Sequence, residues 1–359
     1  MASVNSARLA SVDALRGLAV AGMLLVNDPG DWDHVYAPLE HAAWNGWTPT
    51  DLIYPFFLFI VGVSLSLAMG AKLEAGQGAA LRGTVLKRGL RILVLGLVLH
   101  ALAWWLMDKT AFRVPGVLQR IGLCFALAGL VATRWRSPRA QWLWIVALLL
   151  GYGLLLKLGG PLDKAGNIAS RIDARIFGPH GYEWDPATGL GHDPEGLVGT
   201  LGALATTLLG WRCGEALRHR ALARLAAIGV GCALLGLGLD ATGLMPINKN
   251  LWTPAFVLWT GGLGALALLL VHRLIDVRGW PAVGRSFGVN AIAAYAGAWM
   301  CTVFLEGFGW MGPVYAQGFG WLEPLVGPYG RSLAFAVVFV AVWWVIVKLL
   351  DERGIYIKV

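Results

Sequence analysis

Apolar residues in this chain gather in long runs separated by short polar segments. A bilayer span takes about 20 apolar residues. Stretches of that kind occupy 9–27, 52–70, 90–106, 117–133, 142–158, 197–216, 222–240, 252–271, 284–305 and 332–350. The pattern predicts an all-α polytopic membrane protein of about ten transmembrane helices, one transmembrane domain over residues 1–359. A membrane barrel would instead show short segments of alternating polarity. Composition agrees, with 57% hydrophobic and 14% charged residues, where a soluble domain carries about 25% charged. The mean hydropathy is +0.63.

A net charge of +8 raises the question of nucleic acid, but its distribution answers otherwise. Most of the 29 Lys and Arg residues fall in alternate polar segments. These are Arg8 and Arg16, the 72–91 stretch, Arg134 to Arg139, Arg212 to Arg224, Arg273 to Arg285, and Lys348 to Lys358. The positive-inside rule assigns those segments, and with them both termini, to the cytoplasm. The His41 segment contains no Lys or Arg and is expected outside. The first apolar run is too long for a signal peptide and has no small-residue cleavage site, so it is read as the first helix. Cys124, Cys213, Cys232 and Cys301 all fall in apolar runs, without the spacing of a metal site or a disulfide framework.

Candidate chemistry concentrates where the first two runs meet. Asn27 ends the first, and Glu40 to Asp51 form the polar break before the second. Histidine exchanges protons near neutral pH. Asp51 can orient the His41 imidazole, Asn27 can donate to a developing oxyanion, and Trp44 and Trp47 supply aromatic walls. A base, an orienting carboxylate and an amide donor make a set suited to acyl transfer. Asn45 sits beside them.

Further polar groups mark other outer span ends: Gln119 and Arg120, Glu195, and the run Asn248, Lys249, Asn250, Trp252. Charge at the membrane boundary is costly without a partner. These residues are candidates for a vestibule that binds a hydroxylated substrate, and Asn290 and Tyr295 place polar groups inside a later span. On the basic side, Arg88 and Arg91 lie together and Arg212 flanks another turn, candidates for a phosphate-rich ligand. Arg16 can pair with Asp13 on one helix face. His180 and His192 lack the spacing and partners of a metal site.

Several of these segments occur in order in a known family. Ser11-Val12-Asp13-Ala14-Leu15-Arg16-Gly17, His41-Ala42-Ala43-Trp44-Asn45-Gly46, Asp51-Leu52-Ile53-Tyr54-Pro55-Phe56-Phe57, Pro115 to Arg120, Pro246 to Trp252 and Asn290 to Tyr295 resemble the heparan-α-glucosaminide N-acetyltransferase family. The resemblance covers nearly the whole chain. It implies a transmembrane acetyltransferase that takes acetyl from cytosolic acetyl-CoA, a co-substrate whose phosphates would meet Arg16, Arg88, Arg91 or Arg212. It places the acceptor, a glucosamine-type amine, on the far side. It puts the family's active histidine on His41, its asparagine on Asn27 and an aspartate on Asp51, and it suggests a homodimer. The lysosomal members carry a large lumenal N-terminal domain, whereas this sequence opens on its first apolar run, and the Asn27-to-His41 interval is longer here. The expectation is therefore a compact bacterial relative in an inner membrane. The rival expectation is an inner-membrane transporter of N-acetylglucosamine or a related sugar. Against it stand the lack of an internal repeat and a polar cluster at the outer edge, not the midplane.

Overall fold

The computed structural model describes residues 9–357. Arg8 and Lys358, both used in the charge pattern, lie outside the described residues. The chain is helical throughout its apolar runs: α1 (Ala10–Asn27), α2 (Ile53–Glu74), α3 (Gly78–Leu106), α4 (Val117–Arg134), α5 (Pro138–Leu158), α6 (Ile168–Phe177) and α7 (Thr200–Arg218). They continue with α8 (Leu222–Ala241), α9 (Pro254–Val271), α10 (Arg285–Val289), α11 (Ala291–Gly307), α12 (Met311–Phe319) and α13 (Glu323–Glu352). Among the described residues, eight helical segments are long and apolar enough to cross a membrane. The apolar stretches at 197–216 and 284–305 became α7, which is not among those eight, and the α10–α11 pair, of which α11 has 17 residues. The protein is thus a multi-pass, all-α membrane protein.

Helix ends follow the local chemistry. Ser137, Asn167 and Thr253 each cap a helix by accepting a backbone N–H, and proline stands just inside α5 and α9. In α7 and α9, Thr206, Thr207 and Thr260 return their hydroxyls to the carbonyl four residues back, so these three are not left bare in the apolar bundle. The helices pack through glycine. A Cβ on Gly62 would overlap the Thr207 carbonyl, and one on Gly210 would overlap that of Phe59. The α2 and α7 backbones therefore touch, the small-residue packing that membrane helices use.

The bundle has two distinct ends. At one, Ser11 bonds Asp276, Arg218 and His219 bond Glu74, and Ile357 N–H donates to Asn290, so both described chain ends lie together. At the other end the connecting segments are longer and are tied to one another. The 159–199 segment is a folded unit: α6, then a hairpin of β1 (Glu183–Asp185) and β2 (Leu190–His192) in antiparallel register. It is anchored by Trp44 Nε1 donating to Leu162 O at 2.7 Å, and by Ser170 Oγ against His192 Nδ1 at 2.8 Å.

Candidate active site

The polar break between α1 and α2 is built around Asp51. Thr48 caps a 3₁₀ turn, Pro49–Leu52, that leads into α2, and Asp51 stands at its third position. One carboxylate oxygen of Asp51 accepts from the backbone N–H of Ala42 at 3.0 Å, from that of Thr48 at 3.0 Å and from the Thr48 hydroxyl at 3.2 Å. The other faces His41 Nδ1 at 2.7 Å. Asp51 is buried, whereas half of the His41 side chain is exposed. An ionised carboxylate only accepts, so Nδ1 carries the imidazole proton and Nε2 keeps its lone pair.

Lys249 reaches this pair from the segment between α8 and α9. Its Nζ lies 3.1 Å from His41 Nε2, 2.9 Å from Nδ1 and 3.4 Å from Asp51 Oδ1. Since Nδ1 is already a donor to Asp51, Nε2 is the ring nitrogen left to accept from Nζ. Asn248 sets this approach. Its buried amide donates to Asn45 Oδ1 at 3.1 Å, its oxygen accepts Leu251 N–H at 2.8 Å, and Gly46 N–H donates to Ile247 O at 2.7 Å. The two segments, far apart in sequence, are thus stitched together. Burial pushes the Lys249 amine below the ordinary lysine range, while Asp51 and Glu195 pull it back up.

A cavity of about 100 Å³ opens beside the His41 ring, roomy beside the 10–15 Å³ or so that one water needs. Met23, Val26 and Asn27 line it from α1, Thr50, Ile53 and Tyr54 from the start of α2, Val117 from α4 and Tyr295 from α11. His41, Glu195 and Lys249 complete it. One wall is apolar, and the other presents a base, an amide, an ammonium, a carboxylate and two phenols. That mixture suits a small hydroxylated ligand.

Behind the cavity lies an ionic clamp. Arg113 forks onto Asp193 (Nε–Oδ2 3.1 Å, Nη2–Oδ1 2.7 Å) and reaches Glu195 Oε2 at 2.7 Å. Burial works against the Arg113 charge, but Glu195 and Asp193 outweigh it and hold the guanidinium above its ordinary range. His100 Nδ1 meets Arg113 O at 2.8 Å, and Gln119 Nε2 donates to Val114 O at 3.1 Å, fixing the turn that carries Arg113. Asp28, one residue beyond Asn27, is buried, and burial raises its carboxyl to about 7 against a hydrogen bond from Thr302 that lowers it.

The residues singled out in the sequence fall into three groups. Asn27, His41, Glu195 and Lys249 line one cavity, and Asp51 stands directly behind His41. Gln119, Arg120, Trp44, Asn45, Asn248 and Trp252 surround it as supports. Arg120, buried, donates to Gly196 O at 2.9 Å and lies over the Trp252 ring, whose Nε1 is bonded to Thr206. Asn250 is half-buried in the same turn. Asn290 does not join them: it sits at the opposite end, where its amide bonds Ile355 O and Ile357 N. Among the basic candidates, Arg88 and Arg91 are exposed on α3. Arg16 pairs with Asp13 as their spacing predicts and also bonds Ser64 and the Gly288 carbonyl, and Arg212 is buried against Glu215 and Gln141. Tyr295, noted in the sequence as a polar group inside a span, lines the cavity; Thr50 and Tyr54 were not among the expected residues, and a phenol in an apolar run was the available signal for Tyr54. Among the described residues no group of three or more His, Cys, Asp or Glu side chains could hold a metal ion.

Fold and site together define a multi-pass membrane protein with a carboxylate-backed histidine at one mouth of its helix bundle. A family model described as heparan-alpha-glucosaminide N-acetyltransferase, catalytic, matches residues 8–165. The mouse protein named heparan-alpha-glucosaminide N-acetyltransferase is 31% identical over 355 residues, an overlap of 81% of this chain and 53% of the relative. The human protein of that name is 29% identical over 355 residues, covering 81% and 52%. The chain is similar to this family, and it spans about half the length of the curated relatives it matches.

Proposed function

We propose that this chain is a transmembrane acetyltransferase. It moves acetyl from acetyl-CoA at the cytoplasmic end of the bundle to the amine of a glucosamine-type sugar at the His41 end. The observation that carries the reading is the meeting of Asn27, His41, Glu195 and Lys249 on one cavity, with Asp51 fixing the imidazole. The names of the relatives support acetyl transfer to glucosamine. In this reading all ten apolar stretches span the membrane, both termini are cytoplasmic, and the protein is a homodimer of a bacterial inner membrane.

His41 Nε2 takes a proton from the acceptor amine, which attacks the thioester carbonyl. The Asn27 amide donates to the oxygen as it gains charge. Asp51 holds Nδ1–H and favours the imidazolium that forms, as the third member of a catalytic triad does. The thiolate then leaves and takes the proton from Nε2. Transfer through an acetyl-His41 intermediate uses the same groups, and a quench during turnover distinguishes the two routes. Glu195 supplies an acceptor for a sugar hydroxyl. Arg88 and Arg91, exposed on α3, are the basic groups this reading assigns to the phosphates of coenzyme A.

Purified protein in detergent, given radiolabelled acetyl-CoA and glucosamine, should yield labelled N-acetylglucosamine, and His41→Ala should abolish it. Native-rate transfer by His41→Ala would remove His41 from the mechanism. Sugar uptake into vesicles without acetyl-CoA would turn the reading to a transporter. Light scattering of the solubilised protein tests the dimer.

A further inference from the structure

Lys249 Nζ occupies the position that an acceptor amine must take. It lies 3.1 Å from His41 Nε2 and 2.9 Å from Nδ1, and it lines the same cavity as Asn27. An amino sugar that presents its amine to that lone pair has to displace it. With no acceptor bound, the nucleophile nearest to the base belongs to the protein. Its surroundings are those that activate an amine: a side chain with 16% exposure, a base within hydrogen-bond reach, and an oxyanion donor on the same cavity. Burial shifts it toward the neutral form, against Asp51 and Glu195.

We propose that Lys249 is a self-acetylation site: in the absence of acceptor, the acetyl group of the thioester passes to its Nζ. This rests on the acetyltransferase reading above. The neutral Nζ attacks the thioester carbonyl, a C–N bond forms and the C–S bond breaks. His41 takes the amine proton and returns it to the departing thiolate, leaving N-acetyl-lysine and free thiol. Unlike an acetyl-imidazole, the amide does not pass its acyl group on. The modification also removes the cation beside Asp51 and places an acetyl group in a cavity of about 100 Å³. Acetylated Lys249 therefore closes the site to the next acceptor, and bound amino sugar protects against it.

The test uses the full chain in detergent with acetyl-CoA and no sugar, followed by peptide mass mapping and an activity assay. Lys109 and Lys157, both exposed, report the chemical background. One acetyl should accumulate on Lys249 well above that background, with loss of glucosamine acetylation in proportion. Saturating glucosamine should suppress it in the native protein, a result that needs no variant. In folded His41→Ala the Lys249 rate should fall about 100-fold, the lower range of a general base's contribution. Lys249 left unmodified by a preparation that acetylates glucosamine would overturn this inference and leave the enzyme reading intact. Acetylation at the rate of Lys109, unchanged in His41→Ala, would reduce it to surface chemistry and overturn it too. Acetylation of neither Lys249 nor glucosamine would overturn both.

Discussion

His41 Nδ1 lies 2.7 Å from one oxygen of Asp51, while the other oxygen closes the turn that carries both residues. A single carboxylate therefore sets the shape of the loop and the tautomer of the imidazole, and the two roles separate by substitution. In Asp51→Asn an oxygen remains for the turn, but an amide N–H faces Nδ1 and favours the wrong tautomer. Acetyl transfer should fall by about 10⁴-fold, as in a triad whose aspartate becomes asparagine, with a modest change in melting temperature. Asp51→Ala also strands the Ala42 and Thr48 N–H groups, which costs about 1–3 kcal/mol for each buried group. Thermal melts and transfer rates measured on both variants check the division.

Asn27 ends α1 on the cavity wall and is exposed to it. Asn27→Ala should leave the melting temperature near that of the native protein and lower kcat by about 10²- to 10³-fold, the range for one oxyanion donor. A fall confined to KM would mean that the amide binds the substrate's ground state instead.

Arg113 joins the segment before α4 to the one before α7 through two carboxylates, buried Asp193 and half-buried Glu195. Arg113→Met should destabilise the fold by about 3–5 kcal/mol, because it leaves buried charge without a partner. Arg113→Lys should recover part of that, since an ammonium cannot make the forked contact with Asp193. Melts in detergent decide the order: native above Lys above Met.

Asp28 carries a raised carboxyl, at about 7 in the folded protein against 3.8 ordinarily. The folded state thus binds the Asp28 proton more tightly than the unfolded one. The resulting stability is complete below about pH 4 and drains away as pH rises through about 7. Asp28→Asn, which stays neutral, should lose this component of the pH dependence. Melting temperatures of the two proteins, followed from pH 4 to pH 8, should diverge in favour of the variant on the alkaline side.

Particular residues show how far the sequence could be read. The apolar runs announced their helices because a bilayer demands length and continuity, both properties of a linear string. His41 and Asp51 were legible as partners because one turn separates them. Lys249 could be placed near an outer span end, but nothing in the string tied it to His41, and Asn290 showed the same kind of polar residue beside a span while belonging to the other end. The pairing of Arg16 with Asp13 was legible from their spacing, but its bond to the Gly288 carbonyl and that of Arg212 to Gln141 come from other helices.

By itself, then, the sequence determined the class of the molecule, the positions of its helices, and the local turn that joins a histidine to its aspartate. Each of these follows from residues close together in the chain: burial of apolar runs in lipid, and hydrogen bonds that close within one loop. The tertiary structure alone decided that Asn27, Glu195, Lys249 and Tyr295 share a cavity with His41, and that Arg113 rather than a lipid headgroup answers Asp193 and Glu195. Those meetings depend on how glycine faces let α2 and α7 approach and on which loops interlock at one end of the bundle. That is a matter of packing between segments distant in sequence, where many pairings satisfy the same pattern of apolar and polar residues.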